Sequence, residues 1–79
     1  MSELTMYTTV WCGFCWRLKA QLDHAGIGYH EVDIDRDPDA AAFVQSANGG
    51  NQTVPTVRLP DGSTLTNPSI DQVTRALAA

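Results

Sequence analysis

The sequence predicts an α/β domain in which a four-stranded mixed sheet packs with three helices in the order βαβαββα. Three observations lead there. Apolar residues recur at helical spacing in three separate segments, runs rich in Thr, Val and Tyr lie between them, and Pro60-Asp61-Gly62 joins the last two such runs as a hairpin turn. With 79 residues and no repeat, linker or low-complexity segment, the chain is read as a single domain over 1–79.

Leu4 to Val10 contains neither Gly nor Pro and reads as a first strand that stops at Trp11-Cys12-Gly13. From there Phe14, Leu18, Leu22 and Ala25 share one helical face, and Gly26 supplies a stop. Tyr29 to Asp35 alternates, with Val32 and Ile34 opposite Glu31, Asp33 and Asp35, so a second strand follows. The helix between these strands makes them parallel. Asp37-Pro38 opens a second helix by a capping carboxylate and a proline that needs no N–H bond; Ala40, Phe43, Val44 and Ala47 form its buried face. Asn48-Gly49-Gly50-Asn51 ends it. The runs Thr53–Leu59 and Ser63–Thr66 are the hairpin strands, and Asn67-Pro68 repeats the cap-plus-proline signal before a last helix faced by Ile70, Val73 and Leu77.

Five Lys and Arg against nine Asp and Glu, with Lys19 the single lysine, disfavour a nucleic-acid or anionic membrane partner, because phosphate binding draws on Lys and Arg. No apolar run approaches the roughly 20 residues that span a bilayer, and the start of the chain lacks the marks of a signal peptide. The protein is therefore expected to be cytoplasmic. In that reducing compartment two cysteines three positions apart suggest catalysis or metal binding rather than a structural staple.

Cys12 falls in the turn between first strand and first helix, where unpaired N–H groups and the helix dipole favour an anion. Free cysteine is only about 3% thiolate at pH 7, whereas a C-x-x-C cysteine at a helix N-terminus can have a pKa of about 7 or lower. Cys15, one turn deeper, can reach Cys12 while staying more covered. Hence Cys12 is expected to attack and Cys15 to resolve. Thr53-Val54-Pro55 matters beside them: if the Val54–Pro55 bond is cis, the Val54 backbone turns outward and can pair with an extended substrate at Cys12.

Thr9-Val10-Trp11-Cys12-Gly13-Phe14-Cys15, Val32-Asp33-Ile34, Asn48-Gly49-Gly50-Asn51, Thr53-Val54-Pro55-Thr56 and the Asp61 to Pro68 segment together resemble the glutaredoxin-like proteins over essentially the whole chain, and within them the mycoredoxin group. The resemblance implies the thioredoxin fold, a cis Pro55, and a reductase that removes mycothiol from protein mixed disulfides. Ordinary glutaredoxins carry a Gly-Gly-x-Asp-Asp-like segment before the last helix, which holds a glutathione carboxylate. Here Leu65-Thr66-Asn67-Pro68-Ser69 stands in its place. Hydroxyl and amide groups suit the sugar and inositol of mycothiol. A second departure is Gly13 where dithiol glutaredoxins usually have proline, which loosens the turn.

The expected substrate-binding residues are Trp11, Gly13, Phe14, Thr53, Val54, Pro55, Thr66 and Asn67, with Cys12 and Cys15 catalytic and no metal. Trp11 is expected to border the site, while Phe14 fits either the buried helical face or the substrate surface. Mycothiol is the expected co-substrate and no cofactor is tightly bound; NADPH acts indirectly through a separate mycothiol disulfide reductase. Mycothiolated proteins are the expected partners, and the protein a monomer. Two other readings remain open. An NrdH-type redoxin would take electrons from thioredoxin reductase and pass them to ribonucleotide reductase, and a [2Fe–2S] module would bind a cluster through Cys12 of two chains. A zinc site fits poorly, since His24 and His30 are the further nitrogen donors and lack finger spacing. Both histidines are expected at the surface, and Asp33, Asp35, Asp37 and Asp39 form a solvated edge and cap. Arg17 and Lys19 either steer anionic partners or solubilise the first helix.

Overall fold

The Gly- and Pro-free start of the chain forms β1 (Leu4–Thr8), an inner strand of a four-stranded sheet. The computed structural model describes residues 4–78. After β1 come α1 (Gly13–Ala25), β2 (Tyr29–Asp33), α2 (Pro38–Ala47), the hairpin β3 (Thr56–Arg58) and β4 (Thr64–Thr66), and α3 (Ile70–Ala78). The sheet order is β2-β1-β3-β4. β1 and β2 are parallel, with Leu4 opposite Tyr29, while β1–β3 and β3–β4 are antiparallel, with Met6 opposite Val57 and Val57 opposite Leu65. This is the mixed sheet and three helices that the sequence predicts, arranged as a thioredoxin fold.

Alternation along β1 divides the core. Leu4 and Met6 join Cys15, Leu18, Leu22, Val57 and Val73 under α1 and α3, whereas Tyr7 faces the other way and joins Ile34 and Val44 under α2. On that second face the Tyr7 and Phe43 rings lie 5.2 Å apart, and the Arg58 guanidinium sits 4.9 Å from the Phe43 centroid. Among the described residues no helix is long and apolar enough to cross a membrane.

Helix ends follow local chemistry. Gly26 adopts φ 71° and closes α1 as its amide donates to Asp23 and that of Ile27 to Leu22, a paired C-terminal motif that needs the left-handed conformation. Asp37 caps α2 by accepting from the Ala40 amide at 3.1 Å, with Pro38 first in the helix. The start of α3 differs from expectation. Asn67 is not its cap: it takes φ 45° and donates its amide to the Pro55 carbonyl at 2.7 Å. Ser69 caps instead, accepting from the Gln72 amide while its own amide donates to Gln72 Oε1, a reciprocal capping box.

Strands are shorter than their apolar runs. β1 ends at Thr8 because the Cys12 amide turns back to the Thr9 carbonyl at 3.3 Å, which leaves Val10 exposed. β2 ends at Asp33, whose carboxylate accepts from the Asp35 amide and bends the chain away. β3 starts only at Thr56, after a proline that has no ladder donor. In urea denaturation Ser69→Ala and Asp37→Ala should each lower stability by about 1 kcal/mol. Leu22→Ala, at a position with 0% exposure, should cost about 2–5 kcal/mol; a loss below that range would show that Leu22 is not a core residue.

Candidate active site

Cys12 occupies the N-cap of α1 in an extended conformation, φ −86° and ψ 106°, and its sulfur accepts a hydrogen bond from the Cys15 amide at 3.1 Å. The first amides of a helix have no intrahelical partner, so the sulfur takes the place that a Ser or Asp oxygen fills at other helix starts. Cys15 follows one turn on. The two Cα atoms are 5.2 Å apart, a separation that a disulfide spans, and the sulfurs are bonded in this structure. Cys12 is 5% exposed and Cys15 1%, so Cys12 is the less covered residue of the pair. On reduction, the same amide and the positive end of the helix dipole favour thiolate at Cys12.

Facing this helix end is the loop before β3. The Val54–Pro55 bond is cis, which the sequence alone leaves open, and the Val54 carbonyl lies 3.8 Å from Cys12 Sγ. Pro55 is buried, and its carbonyl holds the Asn67 amide, so the loop before β3 and the turn after β4 are fastened to each other. Thr53 is half-buried, and its carbonyl accepts from Thr56 Oγ1 at 2.7 Å.

Beside the cysteines a groove of about 350 Å³ separates α1 from the start of α3. Phe14, Arg17, Leu18 and Gln21 form one wall, and Asn67 to Ile70 with Gln72 form the other. Its polar lining is amide, hydroxyl and guanidinium, and among the described residues no carboxylate borders it.

Residues 4–63 match the glutaredoxin family model. The chain belongs to the glutaredoxin family. It is 43% identical to Mycoredoxin 1 of Corynebacterium glutamicum over 79 residues, covering all of this chain and 98% of that protein. It is 61% identical over 72 residues to a Mycobacterium tuberculosis protein assigned to the glutaredoxins, covering 91% of this chain and 86% of that one. Among solved structures it resembles the NrdH-redoxin of Escherichia coli, described as glutaredoxin-like, with a TM-score of 0.79, 25% identity and 92% of each chain covered. The resemblance to the mycoredoxin group thus extends along the whole chain.

In this glutaredoxin the structure brings Trp11, Gly13 and Phe14 to the α1 end of the site and Thr53, Val54 and Pro55 to the opposite side, while Asn67 lines the groove. Thr66 stands apart from that lining, its hydroxyl donating to Asn48 Oδ1. Phe14 is exposed, so the buried face of α1 is Cys15, Leu18 and Leu22, and Ala25 is exposed as well. His24 and His30 are at the surface as expected. Gln21 and Gln72 were not among the expected site residues; Ser69-x-x-Gln72 is a legible capping signal, whereas the groove depends on how α1 meets α3. Among the described residues no three or more His, Cys, Asp or Glu side chains are grouped as metal ligands.

Trp16 completes an exposed aromatic border with Trp11 and Phe14. Its indole N–H donates to the Val10 carbonyl at 3.1 Å, and Lys19 Nζ lies 4.2 Å from the ring centroid. Lys19 also pairs with Glu31 at 3.1 Å, and Thr8 Oγ1 donates to the same carboxylate at 2.8 Å. Lys19 is therefore committed to Trp16 and Glu31, and of the two cations on α1 it is Arg17 that reaches the groove. At Glu31 desolvation pushes the pKa up, but the Thr8 and Lys19 hydrogen bonds and the lysine charge outweigh it and hold the carboxyl below its usual value. A depressed carboxylate stabilises the fold above its unfolded pKa and loses that contribution as pH falls through the folded pKa. Glu31→Gln should lower stability at neutral pH by less than about 1 kcal/mol, since the pair is partly exposed to solvent. The gap should close on acidification below the ordinary carboxylate range, as followed by urea midpoints across pH.

Proposed function

We propose that this glutaredoxin reduces mixed disulfides between mycothiol and protein thiols, with Cys12 as nucleophile. The observation that carries the choice of thiol is the likeness to Mycoredoxin 1 from end to end, 43% over 79 residues. The groove supports it chemically. Mycothiol presents a sugar and an inositol, neutral polyols whose hydroxyls suit Gln21, Asn67 and Ser69, with Leu18, Pro68 and Ile70 available to ring carbons. Trp11, Gly13 and Phe14 then border the mixed disulfide, the Val54 backbone, held between Thr53 and the cis Pro55, pairs with the extended substrate, and Thr66 supports the turn at Asn67 that meets the polyol.

The exchange runs by in-line attack at sulfur. The Cys12 thiolate attacks the mycothiol sulfur of the mixed disulfide, the bond to the protein sulfur breaks, and the protein thiolate leaves and takes a proton from solvent. Cys12 now carries mycothiol. In a monothiol route a second mycothiol thiolate attacks the bound mycothiol sulfur, which releases mycothiol disulfide and restores the Cys12 thiolate. In a dithiol route the Cys15 thiolate attacks Cys12 Sγ, expels mycothiol and leaves the Cys12–Cys15 disulfide, the bonded state of this structure. Two mycothiols then reduce that disulfide. No tightly bound cofactor enters the scheme; NADPH supplies electrons through a separate mycothiol disulfide reductase. The reaction belongs to a reducing cytoplasm, and the protein acts as a monomer on mycothiolated proteins.

A second reading has its own support. The likeness to NrdH-redoxin, with a TM-score of 0.79, fits a carrier reduced by thioredoxin reductase that donates to ribonucleotide reductase. NADPH consumption with a mycothiolated peptide separates the two. Turnover with mycothiol and its disulfide reductase, and none with thioredoxin reductase alone, is the expected result; the reverse would transfer the protein to the NrdH-type branch. Brown, dimeric protein from anaerobic purification would point instead to a [2Fe–2S] module. In the mycothiol assay Cys12→Ser should reduce turnover to background, whereas Cys15→Ser should stay within about tenfold of wild type. Retained activity in the Cys12 variant would remove it as nucleophile.

A further inference from the structure

Asn48, read from the sequence as the end of a helix, sits where three elements meet. Its Nδ2 donates to the Val44 carbonyl in the last turn of α2 at 2.8 Å and to Thr56 Oγ1 at the first residue of β3 at 3.1 Å. Its Oδ1 accepts from Thr66 Oγ1 at the end of β4. Thr56 is fully buried, and its own hydroxyl proton goes to the Thr53 carbonyl at 2.7 Å, which leaves an oxygen lone pair for Asn48. Both amide protons and the amide oxygen are thus engaged, and the orientation of the group is determined. A flipped amide would set Oδ1 against the Val44 carbonyl and lose the donation to Thr56.

The two threonines are direct cross-strand partners, Thr56 opposite Thr66. Each adjoins one side of the active site. Thr53-Val54-Pro55 leads into Thr56 and presents the Val54 carbonyl 3.8 Å from Cys12 Sγ, and Asn67 follows Thr66, lines the groove and donates its amide to the Pro55 carbonyl. We propose that Asn48 is a positioning residue for thiol–disulfide exchange. Its side-chain amide sets the Val54–Pro55 segment, and with it the backbone on which an extended substrate pairs, at the working distance from Cys12. It touches neither the cysteines nor the N-terminus of α1, so its effect falls on substrates that carry a peptide backbone and spares the intrinsic reactivity of Cys12. The proposal rests on exchange chemistry at Cys12 and holds whichever low-molecular-weight thiol the protein serves.

Single-turnover release of thionitrobenzoate tests it with two probes. One is a peptide whose cysteine is disulfide-bonded to thionitrobenzoate, and the other is the symmetrical thionitrobenzoate disulfide, which has no peptide backbone. In both, the Cys12 thiolate forms a new disulfide and thionitrobenzoate leaves with the electron pair. Asn48→Ala should slow the peptide probe about tenfold, mainly through a higher half-saturation concentration, because a displaced Val54–Pro55 segment pairs less well with the peptide backbone. The symmetrical probe should keep its rate and its pH profile. Asn48→Asp, similar in shape but unable to donate to Val44 and Thr56, should behave like the alanine variant. Thr66→Val, which removes the donation to Asn48 Oδ1, should give a smaller slowing of the peptide probe, so the inference stays testable even if the Asn48 variants fold poorly. Equal slowing of both probes, a shifted pH profile, or an unchanged peptide rate in a folded variant would overturn it.

Discussion

The Cys15 amide reaches the Cys12 sulfur at 3.1 Å because a helix begins with N–H groups that have no carbonyl to meet, and this chain places a cysteine where the cap belongs. The rest of the site is arranged about that contact. β1 lies inside the sheet, so the turn that leaves it delivers the start of α1 to one edge of the core, beside the loop that enters β3. A buried Cys15 anchors the first turn from below, and Leu18 and Leu22 continue the anchor along α1. The reactive sulfur therefore stands on a rigid element. Its partner across the gap, the Val54 carbonyl, belongs to a loop held from the other side of the molecule.

Hydrophobic residues at the site serve two different ends. Leu18, Leu22, Val57 and Val73 are core, but Val10, Trp11, Phe14 and Trp16 are exposed around the cysteines. On a domain with a formal net charge of -4, an aromatic border with one groove-lining arginine is locally unlike the rest of the surface. The hydrogen bond from Trp16 to Val10 and the stacking of Lys19 keep one of these rings in a defined position while it remains open to solvent. Such preorganisation lowers the ordering cost when a partner docks.

Much of this was legible from residue order. The cysteine spacing, the Gly26 stop, the Asp37 cap and the Pro60-Asp61-Gly62 hairpin are local signals, each read within a few residues, and each feature appears where its signal stands, while α1 begins at Gly13, one residue before the apolar pattern that starts at Phe14. What was hidden depends on long-range packing. Phe14 matches the apolar spacing of α1, yet it is exposed while its neighbour Cys15 enters the core in the same turn. The role of Asn48 depends on Thr56 and Thr66, eight and 18 residues away, and Asn67 carries a positive φ instead of capping α3 because Pro55 takes its amide. Apolar runs overstated strand length for the same reason: strands end where ladder partners end, and periodicity does not report partners.

The chain has two tryptophans, and both flank the cysteine pair, Trp11 immediately before Cys12 and Trp16 immediately after Cys15. Both indoles are also largely open to solvent. A disulfide is an efficient quencher of indole emission at short range, whereas a dithiol quenches less. The tryptophan fluorescence of this glutaredoxin therefore originates at its redox centre, and opening or closing the Cys12–Cys15 bond can be followed optically by selective indole excitation, without a label, in the unmodified protein.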